Sequence, residues 1–266
     1  VFEKRVAALE GGVGALAVHP EHSHFAMAER GQGALVSLCT HTADGDMVPT
    51  EIIEGAGSID VDCMRFSADG AFLVTVSSLP EFQVAIWEWA TNSAAPIATG
   101  TAPGEIKQVA FNPGNAYQLA LLGGGILYLC NVVAGGPGEM ELEFVTVPPP
   151  SANVLYVSMV WSEAGRLYAT SSDGNLWNVD VQQNAVAGDC AVISADPAVE
   201  CHLLAAHEHL ICWCSDGSVA WIGLKTMVEG HRIKVPLRDG VTLVSACLAE
   251  GRFENMFLGC SAGSIY

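Results

Sequence analysis

Three short stretches of the sequence share one form: Ser172-Asp173-Gly174-Asn175-Leu176-Trp177, Ser215-Asp216-Gly217-Ser218-Val219-Ala220-Trp221 and Ser261-Ala262-Gly263-Ser264-Ile265-Tyr266. Their leading serines lie 43 and then 46 positions apart. Each stretch joins a tight turn to an apolar strand that carries an aromatic residue. A repeat of this form with a period in the forties is typical of the blades of WD-repeat β-propellers and is not expected of one closed catalytic domain.

A second set of anchors supports the same period. In each anchor a strand ends in a bulky apolar residue and runs into a polar turn: Val18-His19-Pro20, Phe66-Ser67-Ala68-Asp69-Gly70, Phe111-Asn112-Pro113-Gly114, Trp161-Ser162-Glu163-Ala164-Gly165 and Leu248-Ala249-Glu250-Gly251. The first four follow one another at 48, 45 and 50 positions. Because Asp, Asn and Pro favour turns and Gly accepts a positive φ, we expect the chain to reverse at each anchor.

The composition indicates strands throughout. Half of the residues are apolar and 28 are glycine. Stretches such as Ile59-Val61-Cys63 and Val157-Met159-Trp161 alternate with the period of two that belongs to strands. No sustained helical period occurs, and the nearest candidate, residues 197–209, is better interpreted as a strand and a turn.

These patterns predict an all-β fold, a WD40-type β-propeller with five full four-stranded blades and a partial one. The blades are expected over residues 11–55, 56–101, 102–149, 150–193 and 194–238, with the partial blade over 239–266. Residues 1–10 are expected to supply a strand of a neighbouring or closing blade. A strand over residues 4–9 could pair beside residues 264–266 and close a six-bladed ring. The stop at Tyr266, inside an apolar strand, favours instead an excerpt of a longer chain. A seven-bladed ring would need blades beyond those that this sequence shows.

The charge of the chain limits its partners. Lysine and arginine number 11 against 29 aspartates and glutamates, which gives a formal charge of −18. A charge of this sign repels phosphate backbones and anionic lipid, and the four lysines form no basic stripe, so direct binding to nucleic acid or membrane is disfavoured. Acidity suits a basic protein partner, and it also serves simply to keep an apolar domain soluble.

One long uncharged stretch, residues 108–138, raises the question of a membrane span. A spanning helix needs about 20 apolar residues. Gly123-Gly124-Gly125 interrupts this stretch, and glycines inside a helix are costly, so we expect two buried strands around a glycine-rich hairpin. The triple glycine is not a phosphate-binding loop, because no lysine of the chain follows a glycine.

Nine cysteines are dispersed through the predicted strands, at positions 39, 63, 130, 190, 201, 212, 214, 247 and 260. An odd, scattered set suggests reduced thiols that pack as small apolar groups, in a reducing compartment such as the cytosol or the cilium. One segment has the residue types of a zinc site, namely Cys201, His202, His207, His209, Cys212 and Cys214. Its spacings do not match a zinc finger, and we expect packed thiols and turn histidines instead.

The sequence contains no familiar catalytic motif. The sequence has no Gly-x-Ser-x-Gly, no His-Glu-x-x-His and no Gly-x-Gly-x-x-Gly that opens a helix. The acids at 60, 62, 139, 141 and 143 alternate with apolar residues, which is typical of the solvated face of a strand. We therefore predict no catalytic, cofactor-binding or metal-binding residues and no cofactor, and the protein-interaction residues cannot be assigned from the sequence.

Two stretches resemble a known family. Gly12-Val13-Gly14-Ala15-Leu16-Ala17-Val18-His19-Pro20, followed by Phe25-Ala26-Met27-Ala28-Glu29, resembles the opening of a WD-repeat unit in the cilia- and flagella-associated proteins. The next unit is more specific, since Ser77-Ser78-Leu79-Pro80-Glu81-Phe82 and Ile86-Trp87-Glu88-Trp89 resemble the Ser-Ser-x-Pro-x-Phe and Leu-Trp-x-Trp patterns of that family. The likeness is close over residues 12–149 and weaker beyond.

The resemblance implies a non-catalytic structural role in the axoneme of the cilium or flagellum. Members of this group form the tether and tether head that connect an inner dynein arm motor to the doublet microtubule. The expected partners are therefore axonemal proteins, namely inner dynein arm heavy chains and a sister WD-repeat tether protein, in a hetero-oligomer. The alternatives are a general cytosolic WD-repeat adaptor and, less favoured, a propeller enzyme with a polar cluster or cofactor in its channel.

The sequence departs from regular WD repeats at two points. The usual Trp-Asp at the end of the third strand is replaced by Trp87-Glu88 and Trp177-Asn178, and the Gly-His dipeptides between blades are missing. These departures weaken the transfer of the hydrogen-bonded Asp-His-Ser/Thr-Trp network of regular WD repeats to this chain. They leave the propeller prediction intact, since it depends on the strand period and the turns.

Overall fold

The computed structural model describes residues 12–21, 24–31, 33–41, 47–91, 95–136, 138–248 and 256–266. The strand predicted over residues 4–9 lies outside this range. The described elements are β-strands and one short 3-10 turn, Trp89–Thr91, so the prediction of an all-β chain is confirmed. The chain forms two compact units, Val1–Gly124 with Tyr128–Val145, and Gly125–Leu127 with Thr146–Tyr266.

Repeat 1 is an antiparallel meander of four strands in sequence order. Its strands are Val13–Val18 (β1), His24–Glu29 (β2), Val36–His41 (β3) and Met47–Ile53 (β4). The four central residues of the second strand are all apolar and buried, so both of its faces are covered.

Repeats 2 and 3 are two further meanders that share one eight-stranded sheet. Repeat 2 comprises Val61–Phe66 (β5), Leu73–Ser77 (β6), Gln83–Trp87 (β7) and Ala98–Thr101 (β8), and repeat 3 comprises Gln108–Asn112 (β9), Asn115–Gly123 (β10), Ile126–Ala134 (β11) and Met140–Val147 (β12). Their last strands, β8 and β12, pair in parallel through Ala98 with Met140 and Thr99 with Glu141.

The second unit contains repeats 4 and 5 and the two-stranded repeat 6. Their strands are Tyr156–Trp161 (β13), Leu167–Ser171 (β14), Asn175–Asp180 (β15) and Ala185–Val192 (β16); Cys201–Ala206 (β17), His209–Cys214 (β18), Ser218–Gly223 (β19) and Glu229–Lys234 (β20); and Leu243–Leu248 (β21) and Met256–Cys260 (β22). Beyond β22 the chain turns back, and Ile265 bridges to Gly259.

The uncharged stretch folds as strands. Residues 108–138 contain β9, β10 and β11, and the three glycines lie at the hairpin between β10 and β11, as predicted. Among the described residues no helix has the length and apolar character that a membrane crossing requires. The segment 197–209 likewise contains β17 and a turn, as the sequence indicates.

The repeated serine has one structural role in all three motifs. In repeat 4 the Ser172 backbone N–H donates to the Leu155 carbonyl at 2.7 Å, and its Oγ accepts from the Leu155 N–H at 3.0 Å. Ser215 forms the same two bonds with Glu200, at 2.9 and 3.1 Å, and Ser261 forms them with Thr242, also at 2.9 and 3.1 Å. The serine thus attaches the turn after the second strand to the residue that precedes the first strand of the same repeat. A side chain without a short hydroxyl would leave that N–H without its partner.

The glycine of the motif lies in the left-handed region, with φ of 77° at Gly174 and 79° at Gly263. In both turns its N–H donates to the carbonyl three residues earlier. At Gly174 the returning chain also comes close, since the Ile193 N–H donates to the Gly174 carbonyl at 2.8 Å. A Cβ added to Gly174 would overlap the carbonyl oxygen of Ser194, whereas one added to Gly263 meets no described atom within 4 Å.

We expect Gly174→Ala to destabilise the chain much more than Gly263→Ala. Both variants force alanine into the left-handed region, at a cost of about 1–2 kcal/mol. Only Gly174→Ala must also displace backbone, so its total loss of unfolding free energy should reach roughly 3 kcal/mol or more. Urea unfolding followed by tryptophan fluorescence measures both losses, and equal losses would contradict the close approach at Gly174.

Candidate protein-interaction surfaces

The motif residues of repeats 1 and 2 come together in one junction. His19 follows β1, Phe66 ends β5 and Trp89 begins the turn after β7. The His19 ring stands edge-on to both aromatic rings, with centroid distances of 5.2 Å to Phe66 and 5.5 Å to Trp89. His19 is only 6% exposed. We call this cluster the His19–Trp89 junction, and it packs the turns of two consecutive repeats against each other.

Gly70 is the polar centre of the junction. The Trp89 Nε1–H donates to the Gly70 carbonyl at 2.7 Å, and His19 Nε2 lies 3.3 Å from the same oxygen. The Glu21 backbone N–H donates to His19 Nδ1 at 3.1 Å, so the neutral imidazole carries its proton on Nε2 and donates it to Gly70. A Cβ on Gly70 would overlap the imidazole, which explains why the Asp69-Gly70 turn needs glycine. Two stretches of the sequence that resemble the ciliary family therefore contribute side chains to one packed junction.

We expect Trp89→Phe to cost about 1 kcal/mol and Trp89→Ala roughly 3 kcal/mol of unfolding free energy. Phenylalanine keeps the ring contact with His19 and loses only the hydrogen bond to Gly70. Alanine loses both. Chemical unfolding of the two variants separates these contributions, and indistinguishable losses would show that ring packing is not what holds the junction.

The tryptophan–hydroxyl part of the WD network is present in spite of the sequence departures. Trp87 Nε1–H donates to Thr75 Oγ1 at 2.9 Å, and Trp177 Nε1–H donates to Ser171 Oγ at 2.7 Å. In both cases the hydroxyl lies on the preceding strand. The two tryptophans differ in register, because Trp87 pairs with the first residue of its neighbouring strand and Trp177 with the third, Ala169. The departures from the Trp-Asp pattern therefore do not remove the tryptophan–hydroxyl bond, which corrects, for this bond, the expectation that they weaken the network.

The side chains of the segment that resembles a zinc site lie in different environments. Cys201, Cys212 and Cys214 are buried in the core of repeat 5, while His209 is exposed, as the strand period predicts. The His202 ring stacks on Trp213 at 4.3 Å, and burial lowers its pKa against the opposing effect of Glu200. His207 lies 3.4 Å from Glu163 in the neighbouring turn. Within the described ranges, no three His, Cys, Asp or Glu side chains are grouped to hold a metal ion.

The described cysteines are free thiols, and most are buried. Burial raises the pKa of Cys63 and of Cys130 to about 12, and it also raises the pKa of Cys212. Such thiols are protonated at neutral pH and are poor nucleophiles. Their environment is that of packing groups, and Cys247 is the exposed member of the described set.

The strand β12 and the residue that precedes it carry three of the acids that the sequence places on a solvated face. Glu139, Glu141 and Glu143 are all exposed. Glu139 and Glu141 line an open cavity of about 610 Å³ between the last strands of repeats 2 and 3, together with residues 96–99. Of the other two acids, Asp60 accepts the Gly31 N–H at 3.1 Å and Asp62 lies 3.9 Å from Lys107. None of these arrangements pairs two carboxylates for acid–base chemistry.

A smaller crevice of about 280 Å³ lies between the turns of repeats 4 and 5. Its lining includes Tyr168 and Leu224, with charged groups from three turns: Glu163, Arg166, His207, Glu208 and Lys225. His207 Nδ1 lies 3.4 Å from a Glu163 carboxylate oxygen, and Lys225 pairs with Glu208 at 2.8 Å. The crevice therefore combines apolar groups with charged groups from three turns. The sequence could not indicate it, since its residues are far apart in the chain.

Three turn aspartates are held ionised by their local hydrogen bonds. Asp69 accepts from Ser67, and this bond lowers its pKa. Burial by itself would raise the pKa of Asp173, but bonds from Ser171 and Asn175 outweigh it and lower the pKa. Asp216 behaves similarly, with Lys234 and Ser218 opposing burial.

We expect the contribution of Asp173 to stability to disappear in acid. Its folded pKa lies below its unfolded value, so the contribution is fully present above the unfolded pKa and is lost as the pH falls through the folded pKa. The difference in unfolding free energy between wild type and Asp173→Asn should therefore be largest above about pH 5 and shrink towards about pH 3. Urea unfolding at a series of pH values measures it. A difference between wild type and Asp173→Asn that stays constant with pH would refute the assignment.

The fold matches a solved β-propeller. The β-propeller domain of Cps50 (Swd1) from Myceliophteria thermophila superposes with a TM-score of 0.75 at 12% identity, over 94% of this chain and 80% of that chain. This likeness concerns the fold, and it confirms the predicted WD40-type propeller. Each four-stranded repeat therefore has the architecture of a propeller blade.

The sequence relatives are proteins of cilia and flagella. Cilia- and flagella-associated protein 43 of Mus musculus is 24% identical over 231 residues, which cover 80% of this chain and 13% of that protein. Cilia- and flagella-associated protein 44 of Mus musculus is 27% identical over 43% of this chain and 6% of that protein. The protein of the same name from Trypanosoma brucei brucei (strain 927/4 GUTat10.1) is 30% identical over 30% of this chain and 4% of that protein. No protein-family model matches the chain.

These relatives confirm the resemblance that the motifs of repeats 1 and 2 indicate. The chain is similar to cilia- and flagella-associated proteins 43 and 44. The alignment with protein 43 is longer than residues 12–149, so the likeness extends beyond the stretch in which the motifs are recognised. The chain spans a small fraction of the length of each of these relatives.

Proposed function

We propose that this chain is part of a non-catalytic scaffold of the ciliary or flagellar axoneme, which tethers an inner dynein arm motor to the doublet microtubule and so regulates motility. Its partners are inner dynein arm heavy chains and a sister WD-repeat protein, in a hetero-oligomer. The observation that carries the proposal is the similarity to cilia- and flagella-associated proteins 43 and 44. His19 and Trp89, which belong to the stretches that resemble the family, meet in one folded junction together with Phe66.

The physical character of the described repeats supports a mechanical role. A tether must transmit force without unfolding, and this requires that consecutive repeats are packed rigidly. In the first unit, the His19–Trp89 junction joins the turns of repeats 1 and 2 through rings and a shared carbonyl. The strands β8 and β12 join repeats 2 and 3 by backbone pairing. These connections act in addition to the apolar core, so relative motion of the three repeats would break directional bonds as well as apolar contacts.

The charge supports a basic partner surface. With a formal charge of −18, the chain is attracted at long range to positively charged proteins, and this attraction weakens as salt screens it. The crevice between repeats 4 and 5 adds an apolar pocket that could receive a partner side chain. Such surfaces favour docking of proteins over binding of small substrates.

We expect the tagged full-length protein, expressed in ciliated cells, to remain with the axoneme after detergent extraction. Affinity capture from salt-solubilised axonemes should recover inner dynein arm heavy chains and a second WD-repeat protein, and recovery should decrease as the salt concentration in the washes rises. Mass spectrometry of the captured material and fluorescence of the extracted cells provide the measurements.

Two matched variants sharpen the experiment. Trp89→Phe keeps the ring packing of the His19–Trp89 junction and should be captured with the same partners, whereas Trp89→Ala should lose them in proportion to the loss of the junction. Circular dichroism verifies that both variants contain β-structure. Detergent-soluble protein that recovers no dynein or tether component would count against the axonemal role, and recovery of trafficking or ubiquitin-transfer proteins instead would favour a cytosolic adaptor.

A further inference from the structure

Two cysteines of repeat 5 lie directly opposite each other on neighbouring strands. Cys201 begins β17, Cys214 ends β18, and the two residues are register partners. Their Sγ atoms are 3.1 Å apart, and each residue is 1% exposed. The two thiols are therefore in direct contact inside the folded core.

The backbone around the pair has the geometry that a disulfide needs. The Ser215 N–H donates to the Glu200 carbonyl at 2.9 Å, which makes residues 200 and 215 a hydrogen-bonded pair. The adjacent pair, Cys201 and Cys214, then occupies a non-hydrogen-bonded position, where Cα atoms are about 4.5 Å apart. This separation lies within the range of about 4.4–6.8 Å that disulfides span. The sulfurs can bond without a change of strand register.

We propose that Cys201 and Cys214 form a redox modification site, in which a peroxide converts the pair of thiols into a cross-strand disulfide. One sulfur, as the thiolate, attacks the peroxide oxygen, so that an S–O bond forms and the O–O bond breaks. The second sulfur then attacks the resulting sulfenic sulfur, forming the S–S bond and releasing water. With hydrogen peroxide, the two thiols lose two protons and two electrons, and the oxidant becomes two molecules of water.

The position of the Cys201–Cys214 disulfide determines which part of repeat 5 it would stabilise. It closes the open end of the β17–β18 hairpin, opposite the turn at His207 and Glu208. The hydrogen bonds between Glu200 and Ser215 lie immediately beside it, so the cross-link would hold the repeated serine contact of repeat 5 in place. Oxidation would thus stabilise this repeat covalently.

The environment of the pair makes the reaction slow and selective. The contact with the Cys201 thiol and burial raise the pKa of Cys214, so the folded protein holds it as a thiol at neutral pH. The nearest competitor, Cys212, lies on the same strand and pairs with Leu203 rather than with a cysteine. Reaction requires transient opening of the hairpin, after which reclosure places Cys201 and Cys214 together again.

Peptide mapping of the oxidised protein tests the proposal. The folded protein is treated with hydrogen peroxide, its free thiols are alkylated in denaturant, and it is cleaved after glutamate without reduction. Glu200, Glu208 and Glu229 place Cys201 in the fragment 201–208 and Cys214 in the fragment 209–229. We expect these fragments to be joined in monomeric protein and to separate on reduction with dithiothreitol. The joined mass should be about 2 Da below the sum of the reduced fragment 201–208 and the fragment 209–229 alkylated at Cys212 alone.

Two variants locate the bond. Cys212→Ser should give the same joined fragments, whereas Cys214→Ser should leave the fragment 201–208 fully alkylated. The wild-type protein also provides a test that needs no variant, because the joined fragments should be accompanied by loss of two free thiols. Alkylated Cys201 after prolonged treatment, a bond from Cys201 to Cys212, or cross-linking only between molecules would each overturn the proposal.

Discussion

The paired bonds between a turn serine and the residue that precedes the first strand are the interaction on which each motif-bearing repeat depends. A meander of four strands buries its apolar residues only if its first strand stays in register with the second, and the end of that pairing is where strands would separate. Ser172, Ser215 and Ser261 attach this end with one backbone donor and one side-chain acceptor. Since both bonds of each serine reach the same residue, the attachment specifies register as well as proximity.

Repeat 2 reaches the same result with different residues. The Ser78 N–H donates to the Asp60 carbonyl at 2.9 Å, as the Ser172 N–H does to the Leu155 carbonyl. The Ser78 hydroxyl, however, donates to the Leu79 carbonyl. The turn that follows is Ser78-Leu79-Pro80-Glu81, and Ser77 supplies the acceptor for the Gln83 N–H. The backbone bond is therefore common to the two kinds of repeat, whereas the side chains around it differ. This difference explains why the Ser-Leu-Pro-Glu stretch of repeat 2 and the Ser-Asp-Gly stretches look unrelated in the sequence although they occupy equivalent turns.

The strands and the turns of this fold could be predicted, because they are determined locally. Ser-Asp-Gly before an apolar stretch defines a turn, and period two defines a strand. The parallel pairing of β8 with β12 could not be predicted, since it depends on how two repeats pack. The same holds for the contact between Cys201 and Cys214. Their register depends on a two-residue turn with His207 at a φ of 48°, and neither His207 nor Glu208 is a residue by which such a turn is recognised.

The distribution of charges within the repeats determines what surface remains for a partner. Each described lysine is paired with a carboxylate of its own unit: Lys107 with Glu105, Lys225 with Glu208, and Lys234 with Asp216. These pairs neutralise the cations locally, and no lysine or arginine occurs between Lys107 and Arg166. The unpaired excess is therefore negative, and it includes the exposed glutamates of β12. A chain of this kind attracts a basic protein from a distance, whereas apolar groups decide close contacts.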